Sequence, residues 1–267
     1  MGADIKKLRN RIKSVDSTLH TTKAMGLVAS SKIKRAIDSM QKGRAYADAL
    51  QETVSQLAKS AECAKSPYIK SRTSGRTRLI VIAGDRGLAG GYNANIFRFM
   101  RDYPEAEVIP IGKRAYERFG GTCYFAEKFS YENAIRLAEG LCADFAAGVY
   151  DRLGVVGTRY VSMMVQEPVL TWLLPLTKKE EAREHSAIFE PDELTVLETA
   201  IPTYVAGMLL RQVKESFASE VAARRMAMDS AGKNAQMMID DLSLAYNRAR
   251  QGAITQEITE IVAGSGE

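Results

Sequence analysis

A glycine-rich segment that follows a predicted strand is the first place to look for chemistry. It runs from Gly84 to Asn93 with the sequence GDRGLAGGYN, directly after the apolar run Arg78–Ala83. Loops between a strand and a helix N-terminus often hold phosphate groups. This one lacks the Lys-Ser/Thr pair of a Walker A loop and does not follow G-x-G-x-x-G. We therefore expect a tight turn in which Asp85 caps the following helix, and nucleotide binding stays open as the alternative.

Other residues suited to catalysis or metal binding are sparse. His20 lies in a long helical pattern and His185 follows the charged run Lys178–Glu184, and neither has a Cys, or a Ser with an acidic partner, at a recognised spacing. The three cysteines are widely separated, so we expect reduced thiols rather than disulfides or a zinc site: Cys63, Cys123 and Cys142. The sequence predicts no catalytic residue, no cofactor and no metal.

The charge of the chain is concentrated at its start. The formal net charge is only +5 over 267 residues, but the first 35 residues are rich in Lys and Arg. This basic segment has no interleaved aromatic residues, which disfavours binding of single-stranded nucleic acid. Such a charge run is usually a solvated helix face, and an acidic protein partner is the alternative. No run approaches the roughly 20 apolar residues of a membrane span, so we expect any membrane contact to be made through a partner.

Proline separates the chain into a broken middle and two long uninterrupted ends. All seven prolines lie between residues 67 and 202, so neither 1–66 nor 203–267 contains one. Because proline in a helix interior costs about 3 kcal/mol, the two ends can form long helices and the middle cannot. Pro202 suits the first turn of the second helix, where its missing N–H costs nothing.

Each end carries a narrow apolar stripe with alternating spacings of three and four, which is typical of a coiled-coil seam. The first stripe comprises Ile5, Leu8, Ile12, Val15, Leu19, Thr22, Gly26, Ala29, Ile33, Ala36, Met40, Gly43, Ala47, Leu50, Val54 and Leu57. The second comprises Met228, Ala231, Ala235, Met238, Leu242, Ala245, Ala249 and Gly252. We expect the two helices to pair antiparallel. The alternative is that each helix packs on a globular body.

Short apolar runs alternate with helical spacing in the middle of the chain. The predicted strands are Arg78–Ala83, Glu107–Ile111, Thr122–Ala126, Tyr160–Val165 and Val169–Leu174, and the predicted helix is Tyr131–Tyr150. This alternation is typical of a small, mostly parallel α/β sheet.

Five segments in order along the chain resemble the gamma subunit of the rotary (F-type) ATP synthase. Ile5–Val15 and Thr22–Lys32 are similar to the family's N-terminal helix, and Gly84–Asn93 to its central loop. Phe189–Asp192 resembles its Tyr-Glu-Pro-Asp segment, and Tyr246–Val262 is close to the family signature.

The resemblance implies a non-catalytic rotor shaft that couples proton transport through a membrane ring to ATP synthesis or hydrolysis. Its implied partners are three alpha and three beta subunits, an epsilon subunit and the c-ring, at the cytoplasmic face of a bacterial membrane. It implies beta-subunit contacts at Arg250, Gln251, Thr255, Lys23 and Met25, and a foot near the membrane ring at Phe189, Glu190 and Asp192. A departure is Gly26, which replaces a longer side chain and softens the helix by up to about 1 kcal/mol.

Pattern and resemblance together predict an α/β fold class with a long antiparallel coiled coil and a central Rossmann-like α/β domain. The expected division is an N-terminal helix over 1–66, the α/β domain over 67–190 and a C-terminal helix over 191–267. Residues Gln251–Glu260 are polar on most faces and are expected to project beyond the partner helix. A free-standing coiled-coil scaffold and a nucleotide-dependent enzyme remain as rival functions.

Overall fold

A computed structural model describes residues 2–70, 72, 75–177 and 189–265. The chain divides into two compact units. The sheet unit is Ser31–Ala223, and the helical unit is Met1–Ser30 together with Arg224–Glu267. The division into 1–66, 67–190 and 191–267 stays a prediction, because the two compact units have different bounds from the three predicted segments.

The first long helix, α1, spans Gly2–Leu57. Every residue of its predicted apolar stripe is buried or half-buried, which confirms the pattern read from the sequence. The helix ends earlier than residue 66, because turns follow Leu57 and a short 3-10 helix occupies Cys63–Lys65. None of the described helices offers a run both long and apolar enough to cross a membrane.

Four strands form one sheet in the sheet unit. They are β1 (Thr77–Ile82), β2 (Glu107–Ile111), β3 (Arg152–Tyr160) and β4 (Gln166–Leu174), and their order is β2-β1-β3-β4. β1 is parallel to both β2 and β3, while β4 is antiparallel to β3. The prediction of a mostly parallel sheet is confirmed. The central strand β1 is buried almost throughout, as expected for an apolar run covered on both faces.

Three short helices connect the strands: α2 (Tyr92–Phe99), α3 (Lys113–Phe119) and α4 (Tyr131–Ala146). α4 begins at Tyr131 as predicted, where the Ser130 side chain accepts a hydrogen bond from the Asn133 amide. It ends at Ala146 rather than Tyr150 because Gly148 adopts a positive φ of 77°, which stops a helix.

Two predicted strands are wrong. Thr122–Ala126 forms no strand, and only Tyr124 makes an isolated bridge to Ile111. The Ala126 amide donates to Asp85 instead, which removes it from any ladder. Tyr160–Val165 is also not a strand, since β3 ends at Tyr160 and a turn follows. The amides of Met164 and Val165 donate to the Ser162 hydroxyl in that turn, a local bond that competes with strand pairing.

The last helix, α5, spans Glu193–Gly264 and has 72 residues. Pro202 lies inside it, so its expected place in a first helical turn is wrong. A proline there cannot donate to the preceding turn. Burial of the surrounding turns, at Leu197, Ile201 and Val205, offsets that loss.

The core of the sheet unit joins both long helices to the sheet. One apolar cluster contains Ala47, Val54 and Leu57 of α1 together with Leu197 and Leu209 of α5. The same cluster includes buried residues of all four strands and of α4, such as Ile80, Ile111, Leu153, Leu174 and Phe145. A second cluster on the other face packs α2 against β1. From Ile201 to Ala223, α5 is buried or half-buried at every residue.

In the helical unit, the apolar face of α5 is rotated from the predicted stripe. Met228, Ala231, Ala235, Leu242 and Ala249 are buried or half-buried as predicted. Three other predicted seam residues are exposed: Met238, Ala245 and Gly252. Their neighbours are half-buried in their place: Ile239, Tyr246 and Ala253. Both sets have spacings of three and four, so periodicity alone fits either, and the contacts with α1 decide between them.

Candidate functional site

The two ends of the chain pack as an antiparallel helix pair in the helical unit. A Cβ built on Gly26 would lie 3.6 Å from Met228 Cβ, and one built on Gly232 would lie 3.6 Å from Thr22 Oγ1. Residue numbers therefore rise along one helix as they fall along the other. The predicted antiparallel pairing is confirmed here, and the small residues at the contact let the two backbones approach closely.

The same register leaves the end of α5 without a partner in α1. Residues that face each other have numbers that sum to 254, so α1 begins level with Gly252. Every described side chain after Ala253 is exposed, in agreement with that register. We call Gln251–Gly264 the tip.

Three predicted beta-contact residues lie at the tip or beside it. Arg250, Gln251 and Thr255 are all exposed. Gln251 and Thr255 are four residues apart and therefore share one face of the helix, with Arg250 adjacent to Gln251. The Thr255 carbonyl accepts a hydrogen bond from the Thr259 hydroxyl at 2.8 Å, and this bond holds the Thr259 side chain against the backbone of its own helix. The structure thus brings the three residues together on one exposed surface.

The tip also carries an apolar stripe that the sequence analysis missed. Ile254, Ile258, Ile261 and Val262 are 47%, 56%, 70% and 64% exposed. Their spacing of i, i+4, i+7 and i+8 places them on one face of the helix. That spacing was the available signal, although the polar residues between them dominate the composition.

Lys23 and Met25, the other two predicted beta contacts, lie on α1 and differ in exposure. Lys23 is exposed and lines a groove of about 500 Å³ between α1 and α5, whereas Met25 is half-buried and does not line it. The remaining lining residues are Leu19, Thr22, Gly26, Leu27, Ser30, Arg225, Met228, Asp229, Gly232, Lys233 and Gln236.

The groove is basic at its rim. Lys23, Arg225 and Lys233 face a single carboxylate, that of Asp229. Lys233 Nζ lies 2.8 Å from an Asp229 oxygen, and this hydrogen bond lowers the pKa of the aspartate. Arg225 donates to the Ser30 hydroxyl. A rim with surplus positive charge above small and apolar residues is suited to an acidic protein segment.

The predicted foot residues belong to the sheet unit, whereas the predicted beta-subunit contacts belong to the helical unit. Phe189 is half-buried and packs against the main core cluster, while Glu190 is exposed. Asp192 caps α5, accepting hydrogen bonds from the Thr195 amide and hydroxyl, each at 2.8 Å. The bond from the Thr195 amide is the main cause of a lowered pKa at Asp192. The run Lys178–Glu184 and His185 lie outside the described residues.

The glycine-rich loop serves the packing of the sheet unit. Asp85 does not cap α2 as expected. Its carboxylate accepts from the amides of Lys113, Ala126 and Glu127, and so ties the loop to α3 and to the segment after it. A Cβ on Gly84 would lie 2.8 Å from the Glu220 carboxylate of α5. The loop backbone is thus pressed against α5, which explains a glycine there.

Side chains suited to metal or redox chemistry are isolated from one another. Over residues 2–70, 72, 75–177 and 189–265, no three His, Cys, Asp or Glu side chains are grouped to hold a metal ion. The three cysteines are free; Cys63 and Cys142 are buried and Cys123 is exposed. Burial raises the pKa of the Cys142 thiol to about 12, which leaves it protonated and unreactive at neutral pH.

Known proteins match the chain over its whole length. A family model described as ATP synthase matches residues 4–266. The ATP synthase gamma chain of Ruminococcus albus is 39% identical over 281 residues, covering 98% of both chains. That of Geotalea uraniireducens is 36% identical with the same coverage.

Solved structures share the fold at lower identity. A chain of the Euglena gracilis mitochondrial ATP synthase (OSCP/F1/c-ring, rotational state 3) has a TM-score of 0.72 at 19% identity, covering 99% of this chain and 94% of that one. A chain in the rotor of the same enzyme has a TM-score of 0.69 at 17% identity, covering 95% and 100%. Because the family model and the curated relatives match the chain over nearly its full length, the chain belongs to the ATP synthase gamma chain family.

Proposed function

We propose that this chain is the central rotor shaft of a proton-translocating ATP synthase. It couples rotation of a membrane ring to ATP synthesis or hydrolysis at the beta subunits, and it is not catalytic itself. Full-length relatives named ATP synthase gamma chain support this role. The observation that carries it is the antiparallel helix pair of the helical unit, from which a single helix end, the tip, extends beyond its partner.

The tip and the basic groove are the proposed contacts with the surrounding subunits, three alpha and three beta. Arg250, Gln251 and Thr255 form one exposed polar surface and are the proposed contacts with a loop of the beta subunit. Lys23 at the rim of the groove and the half-buried Met25 are the proposed contacts with an acidic segment of beta. Such a rim attracts carboxylates over a distance of about 10 Å and so favours an acidic partner.

The proposed foot lies at the start of α5, where Phe189, Glu190 and Asp192 approach the c-ring. Phe189 packs against the main core cluster, so a force applied at the adjacent Glu190 is transmitted to the core of the sheet unit. The epsilon subunit is the proposed partner of the α/β domain. The proposed domain division remains 1–66, 67–190 and 191–267.

Proteins of this family are subunits of a membrane-associated complex, so the chain is a peripheral membrane component. The cytoplasmic face of a bacterial cell membrane is the proposed location, with proton as the proposed coupling ion. The curated relatives from Ruminococcus albus and Geotalea uraniireducens are bacterial proteins, which supports this.

Reconstitution tests the proposed function. The full chain is mixed with the alpha and beta subunits of its source, and assembly and ATP hydrolysis are measured. A complex of three alpha, three beta and one copy of this chain, hydrolysing ATP far faster than alpha and beta alone, is the expected result. A chain that self-associates and neither joins nor stimulates them would instead favour the coiled-coil scaffold.

A double variant tests the proposed contact beside the tip. Arg250→Ala with Gln251→Ala removes two exposed side chains, so the isolated chain should stay folded while ATP turnover or assembly of the complex falls. The matched control is Asn247→Ala with Arg248→Ala, an exposed amide and arginine three residues earlier. Equal turnover in both double variants would remove Arg250 and Gln251 from the proposed contact.

A further inference from the structure

Five polar residues of α5 point into the interior of the sheet unit. Gln212, Glu215, Ser216, Ser219 and Glu220 are each no more than 7% exposed. Burying polar and charged groups is unfavourable unless they are bonded, so a helix selected only for stability would carry apolar residues here. Three of them, Glu215, Ser216 and Ser219, bond to other elements of the sheet unit.

Glu215 joins three elements through one carboxylate oxygen. Its Oε1 accepts a hydrogen bond from Arg44 Nη2 of α1 at 2.5 Å. The same atom accepts from the Tyr160 amide, the last residue of β3, at 3.2 Å. Glu215 is therefore the point at which both long helices and the sheet are bonded to one another.

Ser216 and Ser219 add bonds from the neighbouring positions of α5. The Thr158 amide of β3 donates to the Ser216 hydroxyl at 2.9 Å, and the Ser219 hydroxyl donates to the Thr158 carbonyl at 3.3 Å. The Tyr92 hydroxyl of α2 donates to the Ser216 carbonyl at 2.9 Å. We call Arg44, Thr158, Tyr160, Glu215, Ser216 and Ser219 the polar clamp.

A glycine of β3 is what allows this approach. A Cβ on Gly157 would lie only 2.7 Å from Gln212 Nε2 and from Ser216 Oγ. Real Cβ atoms essentially never come that close, so α5 lies against the bare backbone of the strand at this point. The close approach brings polar side chains of α5 within reach of strand amides.

Hydrogen bonds specify the register and rotation of a packed helix more sharply than apolar packing does. The free energy of apolar contact is proportional to the buried area and has little directional preference, so it specifies the register and rotation of a helix less sharply than a directional bond does. Hydrogen bonds weaken steeply when their angle or length changes. In coiled coils a single buried polar residue is enough to fix the register.

We propose that Glu215 is a positioning residue, which with the polar clamp holds α5 in one register and one rotational setting against α1 and β3. Torque applied to the sheet unit is then transmitted to α5 without movement of the helix relative to α1 and β3. The role in transmitting load rests on the proposed shaft function, whereas the positioning of α5 does not depend on it.

The positioning is tested on the isolated full chain by hydrogen exchange of single amides. Glu215→Ala should speed exchange of the Tyr160 amide about tenfold or more, because a hydrogen bond to a charged group is lost. The Arg44 side chain is 36% exposed, so loss of its partner does not leave a fully buried charge and the variant should fold. The control is Glu198→Ala, an exposed glutamate of the same helix. Unchanged exchange at Tyr160 would overturn the clamp whatever the complex does.

The coupling role is tested in membranes with the complete complex, once the wild-type chain has been shown to assemble and pump protons. Glu215→Ala should lower the ratio of protons pumped to ATP hydrolysed by about twofold or more, and Glu215→Gln by less, since its amide oxygen can still accept. Glu198→Ala should match wild type. An unchanged ratio in Glu215→Ala complexes would overturn the coupling role. Failure of the wild-type chain to assemble would count against the proposed function instead.

A second variant separates positioning from stability. Arg44→Met with Glu215→Leu replaces the pair by apolar side chains of similar size, which usually preserves or raises stability. We expect an unfolding temperature at or above that of Glu215→Ala, with the pumping ratio still about twofold below wild type. Recovery of the ratio together with stability would reduce the clamp to a structural element and overturn the proposal.

Discussion

Helix α5 contains two stretches that differ in how they are stabilised. One is the body segment Ile201–Ala223 and the other is the tip. The body segment is buried or half-buried at every residue and is bonded to strands and to α1. The tip is exposed at every described residue after Ala253. Isolated helices of this length are marginal in water, but the tip extends an existing helix and so avoids the cost of nucleation. Packing holds the body segment, and continuity with the rest of α5 holds the tip.

The sharpest test of this contrast is a large-to-small change in each stretch. Leu209→Ala removes a fully buried side chain and should lower the free energy of unfolding by about 2–5 kcal/mol. Ile258→Ala in the tip truncates a side chain that is 56% exposed. It should change the free energy of unfolding by no more than about 0.5 kcal/mol. Denaturant unfolding of the isolated chain measures both. Equal losses would mean that the tip is packed in solution.

Proline distinguishes the paired part of α5 from the unpaired part. Ala235→Pro falls on a buried seam residue of the helical unit and should cost about 3 kcal/mol, kinking the pair and disrupting the complex. Ile258→Pro should lower helix content, seen as a weaker far-ultraviolet circular dichroism signal, while global unfolding stays unchanged. A rotating complex with normal activity in Ala235→Pro would contradict the paired-helix assignment.

Glycine to alanine changes should have opposite signs in the two units. Gly157→Ala meets side chains at 2.7 Å and should destabilise by about 1–3 kcal/mol. Gly26→Ala meets only Met228 Cβ at an ordinary 3.6 Å and should stabilise by about 0.5–1 kcal/mol, since glycine is a poor helix former. Thermal unfolding of both variants gives the comparison, and stabilisation by Gly157→Ala would contradict the close approach of α5 to β3.

The smallest expected effect is a pH dependence at the start of α5. The lowered pKa of Asp192 means that its ionised form stabilises the folded state above the ordinary aspartate value of 3.8. This contribution should be lost as the pH falls from there through the lowered folded pKa. Asp192→Asn keeps an N-cap but no charge, so its stability difference from wild type should shrink at acid pH. A difference constant from pH 6 to pH 3 would show that the carboxylate charge does not matter.

The sequence by itself determined the long helices, the antiparallel pairing and most of the sheet. The absence of proline at both ends and the stripe of period 3.5 are local signals that do not depend on tertiary contacts. Proline and helix periodicity act over single helical turns. The strands β1, β2 and β4 were found for a similar reason, as short apolar runs bounded by turn residues. Arg250, Gln251 and Thr255 were named through the family resemblance; the structure shows them exposed, and their contact with the beta subunit stays a prediction.

Tertiary structure alone decided the rest. Two stripes on α5 have the same spacings, and only the contact of Gly232 with Thr22 selects the one that faces α1. Pro202 sits inside α5 because buried neighbours outweigh its local preference. The polar clamp has no sequence signature, since Glu215 and Arg44 are ordinary helix residues until folding brings them within 2.5 Å. Bonds between residues far apart in sequence depend on the geometry of every element between them, and that information is not local.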